Sequence, residues 1–516
     1  MKSSSHSSSV VQAVRRFLCW IMVVLAAAAV ADDSVETASV TMRELSERRG
    51  LYEGDNGTSC SSFLGGVLPW ERPGGDWRDA RGKRFGDQAY ADTAPGPYGA
   101  TFDVTALVRK WAEAGVRKGT FSLRAVSAGS GYASFHSREA KSPADWPLLV
   151  LELAGGSRQM LKPSADTHID CSTYGSLGRS DKLQVMGNVA AVLEFRLPRA
   201  ISPGSVVRAQ LVLSSAAPPG GGAMRIGVFE TAVPSFPESP LQHGLAKDYP
   251  GDKGIERHTD VVFAAGFDEW RDWRSRWARG SAGEASAVSE DWPNRFEPLG
   301  NKALSVNMKK GSNYGVDLRL YLKELGGEPD ELFFRYYVRL GDDWDPQVDG
   351  GKLPGLAGTY GKAGWGGRRS DGTNGWSLRG AFLSAFSSDH PMHGLTQLVT
   401  YAYHADMKTD YGDHWTWPGA VLQRNRWYCI EQQVRLNRPN AADGLFRVWV
   451  DGRLVMERQN VRLRTVEQVR IETVWLNVYH GGTAPSPYDQ HVYFDNVVVA
   501  RRYIGPMGPL ASRSAN

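Results

Sequence analysis

The chain has 516 residues, 41% apolar and 10% aromatic, with 17 Trp, 57 Gly and 27 Pro. At roughly 150 residues per domain this is material for about three domains, and 22% charged residues with a mean hydropathy of −0.37 exclude an integral membrane protein and bulk disorder. Lys plus Arg number 60 against 56 Asp plus Glu, and the resulting +4 is too small a bias to point to nucleic acid.

At the N-terminus, Lys2, Arg15 and Arg16 precede an apolar run from Phe17 to Val30 that ends in Ala29-Val30-Ala31. A basic start, a short apolar stretch and a small-x-small site predict a secretory signal over 1–31. The run is shorter than the roughly 20 residues a bilayer span needs, and Cys19 has no lipobox before it. Cleavage after Ala31 removes three basic and no acidic residues, leaving 485 residues with a net charge of +1. The expected location is therefore secreted, extracellular or periplasmic, with no membrane association after cleavage. Cys60, Cys171 and Cys429 then remain. So sparse and odd a set reads as buried thiols with at most one pair, not a disulfide framework. No CxxC or HExxH spacing occurs, so neither a metal nor another cofactor is expected. Asn56-Gly57-Thr58 is a glycosylation sequon.

The first block, 38–155, carries a turn at Pro73-Gly74-Gly75-Asp76-Trp77. A helix follows, capped by Asp103, running from Val104 with Leu107, Val108 and Trp111 on one face and stopped by Gly115. Strands are predicted at Thr120–Ala125 and Trp146–Leu153, and in a second block, 160–235, at Ala190–Leu197, Ser205–Leu213 and Met224–Phe229. Pro218-Pro219-Gly220-Gly221-Gly222 is expected to break that series. A Pro- and Gly-rich linker over 236–256 leads to a third block, 257–505.

Phe102-Asp103-Val104-Thr105-Ala106-Leu107-Val108, Ser134-Phe135-His136-Ser137-Arg138-Glu139 and Pro147-Leu148-Leu149-Val150 resemble the closing half of a DNRLRE-type module. Ala165-Asp166-Thr167-His168-Ile169-Asp170 and Leu193-Glu194-Phe195 resemble its opening half. The halves stand in reverse order, as two partial modules or one rearranged one. The resemblance implies a jelly-roll carbohydrate-binding front of the kind attached to secreted polysaccharide-acting enzymes.

In the third block, Phe334, Tyr336, Val338 and Leu340 alternate with Phe333, Arg335, Tyr337 and Arg339, and Val474, Leu476 and Val478 with Trp475, Asn477 and Tyr479. Period two places one set on a core face and the other outward. An outer face of Tyr, Trp and Arg suits a sugar-binding groove on a β-sandwich, and Arg335, Tyr337, Arg339, Trp475, Asn477 and Tyr479 are its candidate lining. Val261–Phe267 and His491–Val499 are expected to pair at one sheet edge. Ser377 and Arg379 share a strand face, as do Tyr401 and Tyr403, and Lys352 lies in Gly350-Gly351-Lys352-Leu353-Pro354-Gly355-Leu356.

Cations beside paired tyrosines suit β-elimination on a uronic acid. The C5 proton becomes removable once its carboxylate is neutralised, and neighbouring Arg and Lys favour a tyrosinate base. A second, protonated Tyr serves the leaving oxygen. Gly-Lys352-Leu-Pro-Gly-Leu, Ser377-x-Arg379, Tyr401-x-Tyr403, Trp475-x-Asn477-x-Tyr479-His480-Gly481-Gly482 and Phe494-Asp495-Asn496 resemble polysaccharide lyase family 14. The likeness implies a jelly-roll sandwich and metal-free alginate or glucuronan lyase activity, with Lys352, Ser377, Arg379, Tyr401 and Tyr403 as the catalytic set. Here Arg379 and Lys352 would neutralise the carboxylate, Ser377 orient it, and the tyrosines share base and acid roles. His404 and His480 are further candidates for substrate contact. The sequence departs from the family in an Arg-rich loop, Gly366-Gly367-Arg368-Arg369, and in His480, where an aromatic is expected.

The expectation is thus an all-β protein: a jelly-roll lyase sandwich behind one or two smaller sandwich modules, acting on an acidic polysaccharide and not on nucleic acid. Its oligomeric state is left open. Two rivals are a non-catalytic polysaccharide-binding matrix protein and a glycoside hydrolase on the same fold; no ExDxE or ExDxxE carboxylate run in 330–500 supports the latter.

Overall fold

The computed structural model describes Leu45, Arg48 and residues 50–508, except 53–56, 128, 174, 200, 203, 237–238, 269–272, 278, 347–348, 440 and 483. The expected secretory segment and Asn56 of the sequon lie outside the described residues. Two compact units divide at Arg48, and everything below belongs to the second. It is all-β, built as two sandwiches in series.

Both front blocks contribute to one sandwich. Its first sheet orders Ala165–Ile169, Ala190–Arg196, Lys118–Ala125, Ile226–Thr231 and Trp77–Arg78, with Ala91–Thr93 also on Ile226–Thr231. Its second orders Lys182–Met186, Tyr132–His136, Val206–Gly220, Leu148–Leu153 and Arg158–Leu161, with Gly99–Asp103 also on Val206–Gly220. Strands from the two sequence blocks intermingle in both sheets and share one core, with Phe102, Trp111, Phe121 and Leu149 against Leu193, Phe195, Leu211 and Val228. The two sequence blocks, open in sequence as one module or two, are one body in space.

The helix spans Thr105–Glu113, one residue later than expected, because Gly99–Asp103 is a strand. Asp103 Oδ1 accepts the Thr105 amide at 3.0 Å and its hydroxyl at 2.6 Å. Gly115 ends the helix at φ +66°, with its amide to Ala112 and that of Val116 to Trp111, the Schellman pattern that favours glycine. Pro218 and Pro219 do not break their strand as expected. Register shifts between Ser215 and Gly220 leave the residues without N–H outside the ladder. Cys60 and Cys171 form a disulfide with Cα atoms 5.0 Å apart, and Cys429 is a buried free thiol.

The second sandwich has an eight-stranded sheet in the order Ser286–Val288, Ala303–Met308, Gln490–Ala500, Glu331–Leu340, Trp427–Arg435, Gly444–Val450 and Arg453–Val461, with Val261–Ala265 also on Gln490–Ala500. That expected pairing forms, with Val261–Ala265 as the edge strand beside residues 497–500. The seven-stranded sheet orders Arg279–Ser281, Tyr314–Tyr321, Thr473–His480, Gly351–Gly358, Trp376–Phe382, Thr396–Tyr403 and Asp413–Leu422. Between the sheets lie Val306, Leu318, Phe334, Tyr336, Val338, Leu356, Leu378, Leu398, Val474 and Leu476, among others.

The alternation in Glu331–Leu340 is as expected, but its outer face is not a groove. Leu245, Ala246 and Ile255 of the 236–256 segment pack with Phe333, Trp449, Val498 and Ile504 over that face. Arg335, fully buried, donates from Nη2 to Asp252 Oδ2 at 2.6 Å and from Nη1 to the Asn496 carbonyl at 2.9 Å. The Tyr337 hydroxyl accepts the Met507 amide at 2.9 Å, and Arg339 donates to the Arg295 carbonyl. The expectation that Arg335, Tyr337 and Arg339 bind substrate is corrected: Arg335 holds Asp252 of the supposed linker, while Tyr337 and Arg339 are buried against Met507 and Arg295. The front sandwich region reaches the second through Tyr52, whose hydroxyl lies 2.8 Å from Ser387 Oγ and donates to Asp389 Oδ1 at 2.9 Å.

Candidate functional site

The open face of the seven-stranded sheet carries the site. Antiparallel register sets one row across it: Arg319 opposite Trp475, Trp475 opposite Gly355, Gly355 opposite Arg379, Arg379 opposite Tyr401, and Tyr401 opposite His414. A neighbouring row pairs Ser377 with Tyr403. On the other side, Tyr314 pairs with Tyr479 and Tyr479 with Lys352. Lys352 and Gly355 are three apart, so strict period two would put them on opposite faces. The ladder slips between them, at Leu353-Pro354. This one-residue bulge keeps Leu353 and Leu356 both in the core and returns Lys352 to the outer face.

The cleft, about 260 Å³, is lined by Lys352, Arg379, Tyr401, Tyr403, Trp475, Asn477 and Tyr479, and also by Tyr314, Asp317, Arg319, Trp365 and Tyr411. Lys352 Nζ donates to the Gly481 carbonyl at 3.0 Å and sits 4.6 Å from the Tyr401 ring centroid. Arg379, 5% exposed, donates from Nη1 to Asn477 Oδ1 at 3.0 Å and lies 4.4 Å from the Trp475 ring centroid. Its Nε is buried without a hydrogen-bond partner. Among the described residues, no carboxylate forms an ion pair with Lys352 or Arg379. Two cations are thus held half-desolvated without a counter-ion, an arrangement that attracts an anion.

Burial, then the neighbouring Arg379, pulls the Lys352 ammonium down to about 8, and burial pulls Arg379 down to about 10. Tyr401 moves the other way. Burial first, then Tyr403, raises it to about 12, outweighing the pull of Arg379. The expected tyrosinate-favouring effect of the cations is therefore outweighed at Tyr401. The rings of Tyr401 and Tyr403 meet edge-on, centroids 5.6 Å apart. The Tyr403 oxygen accepts the Gly367 amide at 3.4 Å.

Of the expected catalytic set, Lys352, Arg379, Tyr401 and Tyr403 converge, while Ser377 lies beneath them. Its hydroxyl is fully buried and donates to the Gly364 carbonyl at 2.6 Å, pinning the glycine-rich loop that carries Trp365 over the cleft. Trp475, Asn477 and Tyr479 line the cleft as expected. His404 and His480 do not. His404 Nε2 pairs with Asp413 Oδ2 at 2.7 Å, and buried His480 holds the Ala484 carbonyl through Nδ1 at 3.2 Å. The sequence patterning also offered Asp317 and Arg319, which alternate with Val316, Leu318 and Leu320, whereas Tyr314 reaches the same face only through a register shift before Val316. It missed Trp365, Tyr411 and His414, which reach the site from loops and a sheet edge. A larger recess of about 630 Å³ between Trp344, Phe386, Leu395 and Arg424 contains none of the converging residues. Among the described residues no cluster of three or more His, Cys, Asp or Glu is placed to hold a metal.

Several solved structures are similar to the second sandwich. The marine PL-14 alginate lyase from Aplysia kurodai is 19% identical over 47% of this chain and 99% of its own, with a TM-score of 0.38. The alginate lyase vAL-1 from Chlorella virus is 18% identical over 47% and 100%, with a TM-score of 0.38. The endo-β-1,4-glucuronan lyase from the fungus Trichoderma reesei is 16% identical over 47% and 96%, with a TM-score of 0.34. No curated protein matches the chain. The family model described as Polysaccharide lyase 14 matches residues 298–497, a span that takes in every residue converging on the cleft.

Proposed function

We propose that this chain is a secreted polysaccharide lyase that cleaves a uronic-acid polymer of alginate or glucuronan type by β-elimination. The observation that carries this reading is the pair of cations, half-buried Lys352 and buried Arg379, neither in an ion pair among the described residues, facing two tyrosines. A substrate carboxylate between the cations loses its charge repulsion with a forming enolate, so the C5–H bond becomes acidic enough to break. Tyr403, acting as tyrosinate with its oxygen held by the Gly367 amide, takes the C5 proton. Tyr401, which retains its proton to about pH 12, gives it to the glycosidic oxygen as the C4–O bond breaks and the C4–C5 double bond forms. Ser377 acts through the loop it pins. The Polysaccharide lyase 14 match over 298–497 supports the same chemistry. In this reading the front sandwich, DNRLRE-like in sequence, holds the same polymer.

A retaining hydrolase needs two carboxylates close together, and Asp317 is the one carboxylate among the described residues lining the cleft. The test is absorbance of the 4,5-unsaturated product on alginate, polymannuronate, polyguluronate and glucuronan. Wild-type chain should produce it on at least one polymer, and Tyr401→Phe and Tyr403→Phe should each lose about 10²–10⁴-fold in rate. Polymer binding without absorbing product would identify a non-catalytic matrix protein instead.

A further inference from the structure

Beyond the reacting centre, the cleft and the exposed loop beside it carry a second cationic feature, Arg319 in the cleft and Arg368 on the loop. Arg319 reaches the outer face from Tyr314–Tyr321, and its guanidinium carbon lies 4.2 Å from the Trp475 ring centroid and 5.9 Å from that of Trp365. Arg368, in the glycine-rich loop, lies 4.7 Å from the Trp365 centroid. Two arginines are therefore oriented by two indoles. Asp317, whose carboxylate already accepts the Trp475 indole N–H, also forms an ion pair with Arg319, 3.8 Å from its Nε. Neither guanidinium donates a described hydrogen bond. Stacking spends the flat faces of a guanidinium and leaves its in-plane donors free, and those donors match a planar carboxylate.

The position is as informative as the chemistry. Arg319 and Arg379 both stack on Trp475, at 4.2 and 4.4 Å from its centroid, which caps their separation at about 8.6 Å. That is within the reach of consecutive carboxylates along one uronate chain. The loop bearing Trp365 and Arg368 is fixed at Gly364 by Ser377 and at Gly367 by Tyr403, so this second group is tied to the catalytic residues themselves.

We propose that Arg319 and Arg368, held by Trp365 and Trp475, form a second carboxylate subsite for the uronate next to the one at Lys352 and Arg379. The proposal rests on the lyase reading and sharpens it. The substrate is a run of consecutive uronates, not a polymer in which uronates alternate with neutral or N-acetylated sugars.

Two measurements test it on the full chain. In the first, wild type and Arg319→Gln/Arg368→Gln are titrated calorimetrically with a saturated uronate tetrasaccharide in a Tyr403→Phe background, with Arg319→Lys as a milder variant and thermal melting as a check on folding. Binding should weaken at least tenfold in the double variant and become less sensitive to salt; unchanged affinity overturns the subsite. In the second, wild type is given polymannuronate or glucuronan and, separately, an alternating glucuronate–hexosamine polymer. Unsaturated product should form on the homopolymer only, and the double variant should lose kcat/KM mainly through KM. Equal cleavage of the alternating polymer overturns the proposal. If no polymer yields unsaturated product, the lyase reading fails, and the titration alone still decides the carboxylate subsite.

Discussion

Lys352 shows how one side chain can serve the site at the expense of the fold. Its ammonium is drawn out of water beside Arg379, with the Gly481 carbonyl as its hydrogen-bond acceptor, and loses its proton near pH 8 instead of the usual value near 10.4. Between those values the unfolded chain binds more protons than the folded one. Stability therefore rises with pH across that window, and the charged form is penalised below it. Lys352→Met should melt a few degrees higher than wild type at pH 7 and form no unsaturated product, a trade of stability for function that calorimetry and absorbance read together. In wild type, kcat/KM on a polyuronate should fall as pH rises through about 8, because the free enzyme loses the cation that receives the carboxylate. Lys352→Arg should carry that limb to higher pH.

At the level of strands, the site depends on a bulge and on a missing side chain. Gly355 separates Trp475 from Arg379 in the cross-sheet row, and a Cβ there would stand 2.2 Å from the Leu378 carbonyl oxygen and 2.5 Å from the Arg379 Cα. Both obstacles are backbone and cannot rotate away. Gly355→Ala should therefore part Gly351–Gly358 from Trp376–Phe382, at a cost of about 1–3 kcal/mol in chemical denaturation, and should reduce activity by displacing Arg379. The slip at Leu353-Pro354 explains why Lys352 reaches the same face as Arg379. The motif around Lys352 is legible as text, but its one-residue shift is not. Whether a strand bulges depends on the ladders on both of its sides.

Across the whole molecule, the 236–256 segment is a covering layer. Asp252 meets Arg335 at 2.6 Å where the arginine is fully buried, and Asn496 Nδ2 donates to the same carboxylate oxygen at 2.8 Å. Removing one partner strands a buried charge, so Asp252→Ala should cost about 3–5 kcal/mol in denaturant unfolding of the full chain. Its KM for polyuronate should stay at the wild-type value, since the pair lies on the sheet opposite the cleft. A rise in KM without a loss of stability would return Arg335 to the substrate side. The front sandwich obeys a similar long-range logic. Strands from 118–136 pair with strands from 182–196, so neither half of its sequence has a sheet of its own.

The resemblance to polysaccharide lyase family 14 was needed to group Lys352 with Arg379, Tyr401 and Tyr403; period-two patterning sufficed to identify an all-β chain and the core faces of Glu331–Leu340 and Thr473–His480. These are local properties, because alternation along a strand already chooses a face. Alternation cannot say which outer face stays open. Glu331–Leu340 and Thr473–His480 read alike, yet one is roofed by Leu245, Ala246 and Ile255 and the other forms the cleft. Nor can it show that Trp365 swings over Arg319 from a loop, that Ser377 turns beneath that loop, or that the two front sequence blocks share one core. Those outcomes depend on contacts between residues far apart in the chain, which only the packed tertiary structure brings together.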